Sequence, residues 1–329
     1  MKGPAYRVYR EGFPHHTFTR ARNGFIVFYS EEDCIFYLTL FGCLARKHKI
    51  QTFSFSIMPN HCHSEEMARD KASFLAFHDD LNALFAQEYN RQHHRSGPLW
   101  ESPFGYAAKT VAKRIRDTIC YIANNPVVGK LAKDILSFRW SLLPYYKNDH
   151  PFSEKIVLRQ ATRPLRRAVE RVNHFRRHNQ PLTYLRLSQI FKDLQKEERN
   201  QIIDYIISQY NFLDYDGMLR FYGDSFEQAC LSFRTHSGSE HDIPEDYEDY
   251  SIYVQMMGIL KRRGVHLEDC NFEELPAAQI RKWASLFREF GFRPKQIDRF
   301  LHQAHEPYRA GPGVPAHSSA GPAPPVADK

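Results

Sequence analysis

Two histidines separated by one residue could bind a divalent metal ion. His61 and His63 flank Cys62 and follow a segment, residues 51–57, in which polar and apolar side chains alternate. On a strand, alternate side chains point to the same face, so both imidazoles would project together while Cys62 points away. Neutral imidazoles are good ligands for divalent cations. Because the chain has 17 histidines, the alternative of two surface histidines beside a turn stays open.

A tyrosine and an asparagine close to Pro126 form a second candidate for chemistry. The helix predicted over residues 113–125 carries an apolar stripe at Ile115, Ile119 and Ile122. Tyr121 and Asn125 are one helical turn apart and lie off that stripe, so the helix would present a phenol and an amide on one face. The alternative is a tyrosine packed at a domain edge and an asparagine that caps the helix before Pro126.

The elements that must position these side chains alternate between strand and helix over residues 1–150. Strands are predicted within residues 15–28, with a turn at Asn23 and Gly24, and over residues 51–57 and 99–109. Helices are predicted over residues 30–47, 72–91 and 113–125, and the last should end near Pro126, which lacks a backbone N–H. The order β-α-β-β-α-β predicts an α+β fold, a ferredoxin-like antiparallel sheet with helices, followed by an extra helix.

Residues 151–305 are predicted to form a mainly α-helical domain, and residues 306–329, rich in Pro, Gly, Ala and Ser, a disordered tail. Residues 240–249 are acidic and predict an exposed loop. The predicted helical segments are residues 187–194, 197–210, 217–221, 226–233, 247–261, 277–290 and 294–302. The last two could form a DNA-binding helix-turn-helix, although an ordinary pair of packed helices is favoured.

The balance of charges suggests a polyanionic partner. The formal net charge is +7 and the isoelectric point is about 9.0. Between residues 155 and 186 nine Lys or Arg accompany a single acid, so this stretch could hold phosphates or form a solvated helical face. No run approaches ~18 uninterrupted apolar residues, so no membrane span is expected. The six cysteines form no CxxC pair, which predicts free thiols in a reducing compartment.

Five stretches resemble, in order, the motifs of one family of DNA-processing enzymes. Residues 58–63, MPNHCH, resemble the MPNHxH motif of single-tyrosine HUH transposases, in particular the branch related to REP-associated tyrosine transposases (IS200-like transposases). The other stretches are residues 89–91 with 95–100 (YNR and RSGPLW), 104–109 (FGYAAK), 119–127 (ICYIANNPV) and 138–146 (FRWSLLPYY). The resemblance covers about residues 5–150, which implies a catalytic domain over residues 1–150.

The resemblance assigns a role to each candidate residue. It implies that His61, His63 and Asn125 are metal ligands and that Tyr121 is the nucleophile. The implied activity is that of a metal-dependent transposase, which cleaves and rejoins single-stranded DNA through a 5′-phosphotyrosine with Mg²⁺ or Mn²⁺ as cofactor. The alternative is a domesticated regulator that binds a sequence or a hairpin in DNA without turnover. A prokaryotic, cytoplasmic and nucleoid-associated protein is implied, with monomer and homodimer both open.

Single-stranded or hairpin DNA as partner implies a basic groove with aromatic platforms. The candidate DNA contacts are Arg20, Arg22, Arg91, Arg95, Lys109 and Arg114, with Trp100 and Phe104 for stacking. Core packing is an equally good interpretation of Trp100. The chain departs from the family pattern at Ser64, Glu65 and Glu66, where apolar residues are usual. We expect Glu65 at an exposed strand end, with contact to the metal as the alternative.

Overall fold

The computed structural model describes residues 8–102, 104–223, 225–235 and 248–303. The predicted disordered tail and most of the predicted acidic loop lie outside these ranges. Within them the chain is α+β, as predicted, and it contains one four-stranded antiparallel sheet. The strands are β1 (His15–Arg20), β2 (Gln51–Met58), β3 (His61–Met67) and β4 (Gly105–Ala108), in the spatial order β2-β3-β1-β4. The first helices are α1 (Glu31–His48), α2 (Lys71–Gln92) and α3 (Ala112–Val128).

Helix α1 begins at a residue that sequence rules identify. Ser30 accepts a hydrogen bond from the backbone N–H of Asp33, and the Asp33 carboxylate accepts one from the backbone N–H of Ser30. This capping box satisfies two N–H groups that the helix itself cannot pair. The helix ends at His48 and is capped by Lys49, whose φ of 57° lies in the left-handed region. The predicted turn at Asn23 and Gly24 is present as a short 3-10 helix, Arg22–Gly24.

The two faces of the sheet pack against different helices. On one face, His15 contacts the Phe74 ring of α2 at a centroid distance of 5.1 Å. On the other face, His16 contacts the Tyr121 ring of α3 at 5.7 Å. Because neighbours along a strand point to opposite faces, His61 and His63 of β3 share the α3 side with His16, which pairs with Glu65 in the β1–β3 register. The sheet therefore directs three of its histidines, His16, His61 and His63, toward the predicted nucleophile.

The expectation of an exposed strand end at Glu65 is wrong, and its neighbours Ser64 and Glu66 are enclosed as well. All three side chains are buried and β3 continues to Met67. Glu66 accepts hydrogen bonds from Thr17 at 3.2 Å and from Ser64, and it pairs with Nε2 of His78 at 2.9 Å. A carboxylate can be buried when such partners replace its water. His78 belongs to helix α2, so the alternation of residues along β3 could not show that it contacts Glu66.

The third helix ends near Pro126, as predicted, although it runs past the proline and not only up to residue 125. Helix α3 continues to Val128, with Pro126 inside its last turn. The backbone N–H of Gly129 donates to Asn125 at 2.8 Å, and that of Leu131 donates to Pro126 at 2.8 Å. A proline this close to the helix end removes one hydrogen bond, and the bonds that follow it still close the turn.

The remaining described helices belong to the half of the chain that was predicted to be helical. They are α4 (Arg163–Arg177), α5 (Tyr184–Phe191), α6 (Lys196–Tyr210), α7 (Tyr215–Leu219), α8 (Phe226–Thr235), α9 (Ser251–Lys261), α10 (Ala277–Glu289) and α11 (Pro294–Phe300). Further 3-10 helices are Ile135–Ser137, Arg139–Ser141, Leu143–Tyr145 and Leu267–Asp269. Across the described ranges, no helix is both long and apolar enough to span a membrane.

The helical half packs directly on the half that carries the sheet. Ile202 and Ile206 of α6 lie in the same apolar core as Phe41 of α1. A second core joins Met58 at the end of β2 to Tyr250, which precedes α9, and to residues of α10 and α11. Burial of this apolar surface is the main stabilising contribution of the contact between the halves.

Candidate active site

Three histidine rings meet on the α3 side of strands β1 and β3. The ring centroids of His61 and His63 are 4.7 Å apart, and those of His16 and His63 are 5.1 Å apart. His61 is 4% exposed and His63 is 2% exposed, so the alternative of two surface histidines is wrong. The paired imidazoles project to one face, as strand alternation predicts.

Hydrogen bonds hold both imidazoles by their Nδ1 atoms. Nδ1 of His61 lies 2.6 Å from Oδ1 of Asn60, and Nδ2 of Asn60 donates to the backbone oxygen of Gly24 at 3.1 Å. Since the amide nitrogen faces Gly24, the amide oxygen accepts from His61, and Nδ1 of His61 carries the hydrogen. Nδ1 of His63 lies 3.0 Å from Nε2 of His16. Within the described residues no hydrogen bond reaches Nε2 of His61 or His63, so these atoms remain available as ligands.

The environment keeps both imidazoles neutral. Burial lowers the pKa of His61 to about 3, and the positive charge of Arg20 adds to this effect. Burial also lowers the pKa of His63 well below its usual value, and His61, His16 and Arg20 act in the same direction. A neutral imidazole has the lone pair that a metal ion requires, so both rings are in the ligand form at neutral pH.

Tyr121 lies directly beside these rings. Its ring centroid is 5.5 Å from that of His63, with the planes at 80°, and 5.7 Å from that of His16. The side chain is 8% exposed. The fold therefore brings together the phenol and the paired imidazoles, which the sequence places on different elements, in a site largely covered by protein.

Asn125 lies one helical turn after Tyr121 and is half-buried. Its Nδ2 atom is buried and makes no hydrogen bond to any described residue, and its side chain makes none to His61 or His63. The two ends of an amide are exchanged by rotation about one bond, so Asn125 can also present Oδ1 in this position. An unsatisfied buried amide is costly unless a further partner occupies the site.

A metal ion fits this set of donors only if Asn125 takes part. Among the described residues, no group of three His, Cys, Asp or Glu side chains is arranged to hold a metal ion. Glu65 shares a face with His61 and His63 and is fully buried, but it does not complete such a group. The donors that remain are two imidazole nitrogens and one amide, and water can supply further oxygen ligands, as Mn²⁺ and Mg²⁺ accept.

Two residues of the site, His16 and Tyr250, were not predicted from the sequence. His16 contacts the rings of both His63 and Tyr121, and the ring of Tyr250 is 5.6 Å from that of His61. Strand alternation places His16 on a face, but only the register of β1 against β3 shows which face. Tyr250 belongs to the helical half, and nothing in its local sequence indicates contact with the metal candidates.

The predicted DNA contacts divide into exposed and buried residues. Arg22, Arg91 and Arg114 are exposed, and Arg20 is half-buried beside His61, its partner in the strand register. Arg91 donates to Glu88 at 2.6 Å. These positions are compatible with contact to DNA phosphates, which remains a prediction.

The other predicted DNA contacts lie inside the protein. Trp100 and Phe104 are core residues: Nε1 of Trp100 donates to the backbone of Asn82 at 3.3 Å, so core packing is the correct interpretation of this ring. Lys109 is fully buried. The Arg95 side chain is 5% exposed and pairs with Glu273. Their burial is the physical reason why these four side chains do not offer a DNA surface in this structure.

Comparison with known proteins gives one structural neighbour. No protein-family model and no curated protein matches the chain. Part of the chain is similar to the solved structure of a REP-associated tyrosine transposase bound to a REP hairpin, with a TM-score of 0.37 and 17% sequence identity. The similarity covers 44% of this chain and 82% of that chain.

Proposed function

We propose that this chain is a metal-dependent DNA strand transferase of the single-tyrosine transposase type, with Tyr121 as its nucleophile. The observation that carries the proposal is the 5.5 Å distance between the Tyr121 and His63 rings. The motif resemblance of residues 58–63 and 119–127 independently assigns metal binding and catalysis to the same residues. The strand order β2-β3-β1-β4 supports the ferredoxin-like arrangement predicted for the catalytic domain.

His61, His63 and Asn125 would hold the ion, Mn²⁺ or Mg²⁺. A bound divalent ion would withdraw charge from a non-bridging oxygen of the target phosphate. Contacts within the chain orient the two imidazole ligands, since Asn60 contacts Nδ1 of His61 and His16 contacts Nδ1 of His63. This second layer of contacts orients ligands that would otherwise rotate about their side-chain bonds.

Tyr121 would attack the phosphorus of a single-stranded DNA phosphodiester. The bond between the phenolic oxygen and phosphorus forms as the bond from phosphorus to the 3′ oxygen breaks. The phenol loses one proton and the leaving 3′ oxygen gains one, which gives a 5′-phosphotyrosine and a free 3′-hydroxyl. Attack by a 3′-hydroxyl on the phosphotyrosine restores the phenol and rejoins the strand, and no external energy source is needed because the ester is conserved.

Arg20 would position the substrate. It lies opposite His61 in the β1–β3 register, and its charge acts on both metal-binding candidates. A guanidinium can bind a phosphate through two parallel hydrogen bonds. Arg20 therefore supports placement of a DNA phosphate beside Tyr121.

The test is incubation of the full chain with a single-stranded hairpin oligonucleotide and Mn²⁺, followed by a denaturing gel. We expect a covalent protein–DNA band that is lost in Tyr121→Phe and in EDTA. Tyr9→Phe is the matched control, since it removes a phenol outside the site and should keep the band. A band that persists in Tyr121→Phe would contradict the proposal.

A second candidate is a DNA-binding regulator without turnover. The burial of Tyr121 and the packing of Tyr250 against His61 favour it, because both limit access of a DNA strand to the site. Hairpin binding without a covalent band under any metal condition would support this candidate.

A further inference from the structure

A cleft at the end of α1 collects positive charge from elements that are distant in the sequence. It has a volume of about 410 Å³, and Arg46, Lys49 and Arg176 line it together with Gln51 and Asp214. We call it the arginine cleft. Arg46 and Lys49 come from the C-terminal end of α1, and Arg176 comes from the last turn of α4. A third guanidinium, that of Arg186, acts electrostatically on Cys43 and Tyr210 together with those of Arg46 and Arg176.

Arg46, Arg176 and Arg186 have no carboxylate partner in the described part of the chain. Arg46 donates to the amide oxygen of Asn179 at 2.8 Å. Among the described residues, Arg176 and Arg186 donate to backbone oxygens alone, those of Gln209 at 2.5 Å and Pro181 at 2.6 Å. These neutral acceptors orient the guanidinium groups without cancelling their charge.

The same arginines crowd around Tyr210. The guanidinium carbons of Arg46 and Arg176 each lie 5.9 Å from the centre of its ring. Burial raises the pKa of Tyr210, and the charges of Arg176, Arg46 and Arg186 oppose that increase. Burial also lowers the pKa of Arg46, with repulsion from Arg176 as the next cause. Positive charge is thus held together here at a cost in free energy.

The one acid in the cleft is already engaged. Asp214 accepts hydrogen bonds from the Gln51 side chain and, at 2.9 Å, from the backbone N–H of Gly217, where it caps α7. The cleft therefore keeps a net positive charge, with cationic side chains from the ends of α1 and α4. A phosphate dianion or phosphodiester is the chemical group that such a set of guanidinium and ammonium donors fits.

We infer that the arginine cleft binds backbone phosphates of a DNA stem, as a second contact remote from the candidate active site. The inference rests on the proposed function only for its choice of DNA as the anion. Gln51, in the cleft, and Met58, the partner of His61, are at opposite ends of β2. At roughly 3.3 Å per residue, this eight-residue strand separates them by about 23 Å. A DNA stem rises roughly 3.4 Å per base pair, so about seven base pairs span that distance.

The test compares hairpins with stems of about 5 and about 12 base pairs, bound in EDTA so that no cleavage occurs. The double variant Arg46→Gln/Arg176→Gln removes two charges from the cleft. For the long stem, we expect the double variant to bind more weakly than the unmodified chain. Each phosphate contact contributes about 0.9 to the slope of the logarithm of the binding constant against the logarithm of the salt concentration, so loss of two contacts should make this slope shallower by about 1.8. For the short stem we expect affinity equal to that of the unmodified chain.

Two controls separate a specific site from a general loss of charge. Arg167→Gln/Arg199→Gln removes two charges that are paired with acids, Arg167 with Asp193 and Arg199 with Glu31 and Glu32. It should leave the salt slope for the long stem unchanged. Arg46→Lys/Arg176→Lys keeps both charges and should retain most of that slope. Circular dichroism melts check that all variants are folded.

The inference is overturned if the glutamine double variant keeps the unmodified affinity and slope, if it loses them equally for both stems, or if the paired-arginine control loses as much. Saturation of the cleft by inorganic tripolyphosphate without any effect on DNA binding would also overturn it. Failure of the proposed function has a separate readout, the absence of the covalent band with a short oligonucleotide.

Discussion

Nε2 of His16 lies 3.0 Å from Nδ1 of His63, so one buried histidine holds another on the neighbouring strand. The contact depends on the antiparallel register in which His16 pairs with Glu65, and His63 with Phe18. The contact uses Nδ1 of His63 and leaves the other ring nitrogen, Nε2, for a metal ion. In metal sites such a contact sets the orientation and basicity of the ligand.

We expect His16→Ala to weaken binding of Mn²⁺ by about 10- to 100-fold, the range found when a group that orients a metal ligand is removed. Binding is measured by isothermal titration calorimetry with the metal alone. His16→Gln keeps a group that can hydrogen-bond Nδ1 of His63 and should recover part of the affinity. His174→Ala, on the exposed face of α4, is the matched control. Equal affinity in His16→Ala and the unmodified chain would exclude a positioning role for His16.

The candidate site could be predicted from the sequence where its geometry is local. Strand alternation placed His61 and His63 on one face, and helical spacing placed Tyr121 and Asn125 on another. Neither rule states that the two faces meet, since this depends on how α3 packs on the sheet. The expectation came from the resemblance of the motifs, and the fold brings Tyr121 to His63.

Predictions of side-chain exposure from the sequence were wrong or undecided where burial depends on partners from distant elements. Glu65 and Glu66 look exposed in their local context, and Glu66 is buried because Thr17 and His78 satisfy it. For Trp100 the sequence left stacking on DNA and core packing equally open, and the ring packs beside Phe85 at a centroid distance of 5.6 Å. Charge and aromaticity alone do not show which side chains the tertiary fold encloses.

Glu66→Ala should destabilise the chain by roughly 3 kcal/mol or more, because several buried donors lose their acceptor and each unsatisfied donor costs about 1–3 kcal/mol. The substitution leaves Nε2 of His78 and the hydroxyl groups of Thr17 and Ser64 without their shared acceptor. The free energy of unfolding is measured by urea denaturation at neutral pH. Glu101→Ala, at an exposed position, should change it by less than about 0.5 kcal/mol. Equal effects of the two substitutions would contradict a stabilising role for this network.

Stability should fall as the pH drops from about 6.5 to about 4, in part because of His15. Burial lowers the pKa of His15 to about 4, although Glu66 and the Phe13 backbone act in the opposite direction. Nε2 of His15 accepts the backbone N–H of Arg10 at 3.0 Å, which requires that this nitrogen carries no proton. In the unfolded chain the same group titrates near ~6.5. Between these two values the unfolded state binds more protons, so acid favours unfolding.

The variant that isolates this effect is His15→Phe, which keeps an aromatic ring against Tyr9, now stacked on His15 at 4.6 Å. In this range of pH, the variant should take up one proton fewer on unfolding than the unmodified chain. The maximum slope of its free energy of unfolding against pH should therefore be smaller by up to about 1.4 kcal/mol per pH unit. Urea denaturation at several pH values between 4 and 7 measures it. His61 and His63 should maintain a residual slope of the same sign, since burial lowers their pKa values as well. If the free energy of unfolding of His15→Phe depends on pH as steeply as that of the unmodified chain, His15 binds its proton equally in the folded and the unfolded state.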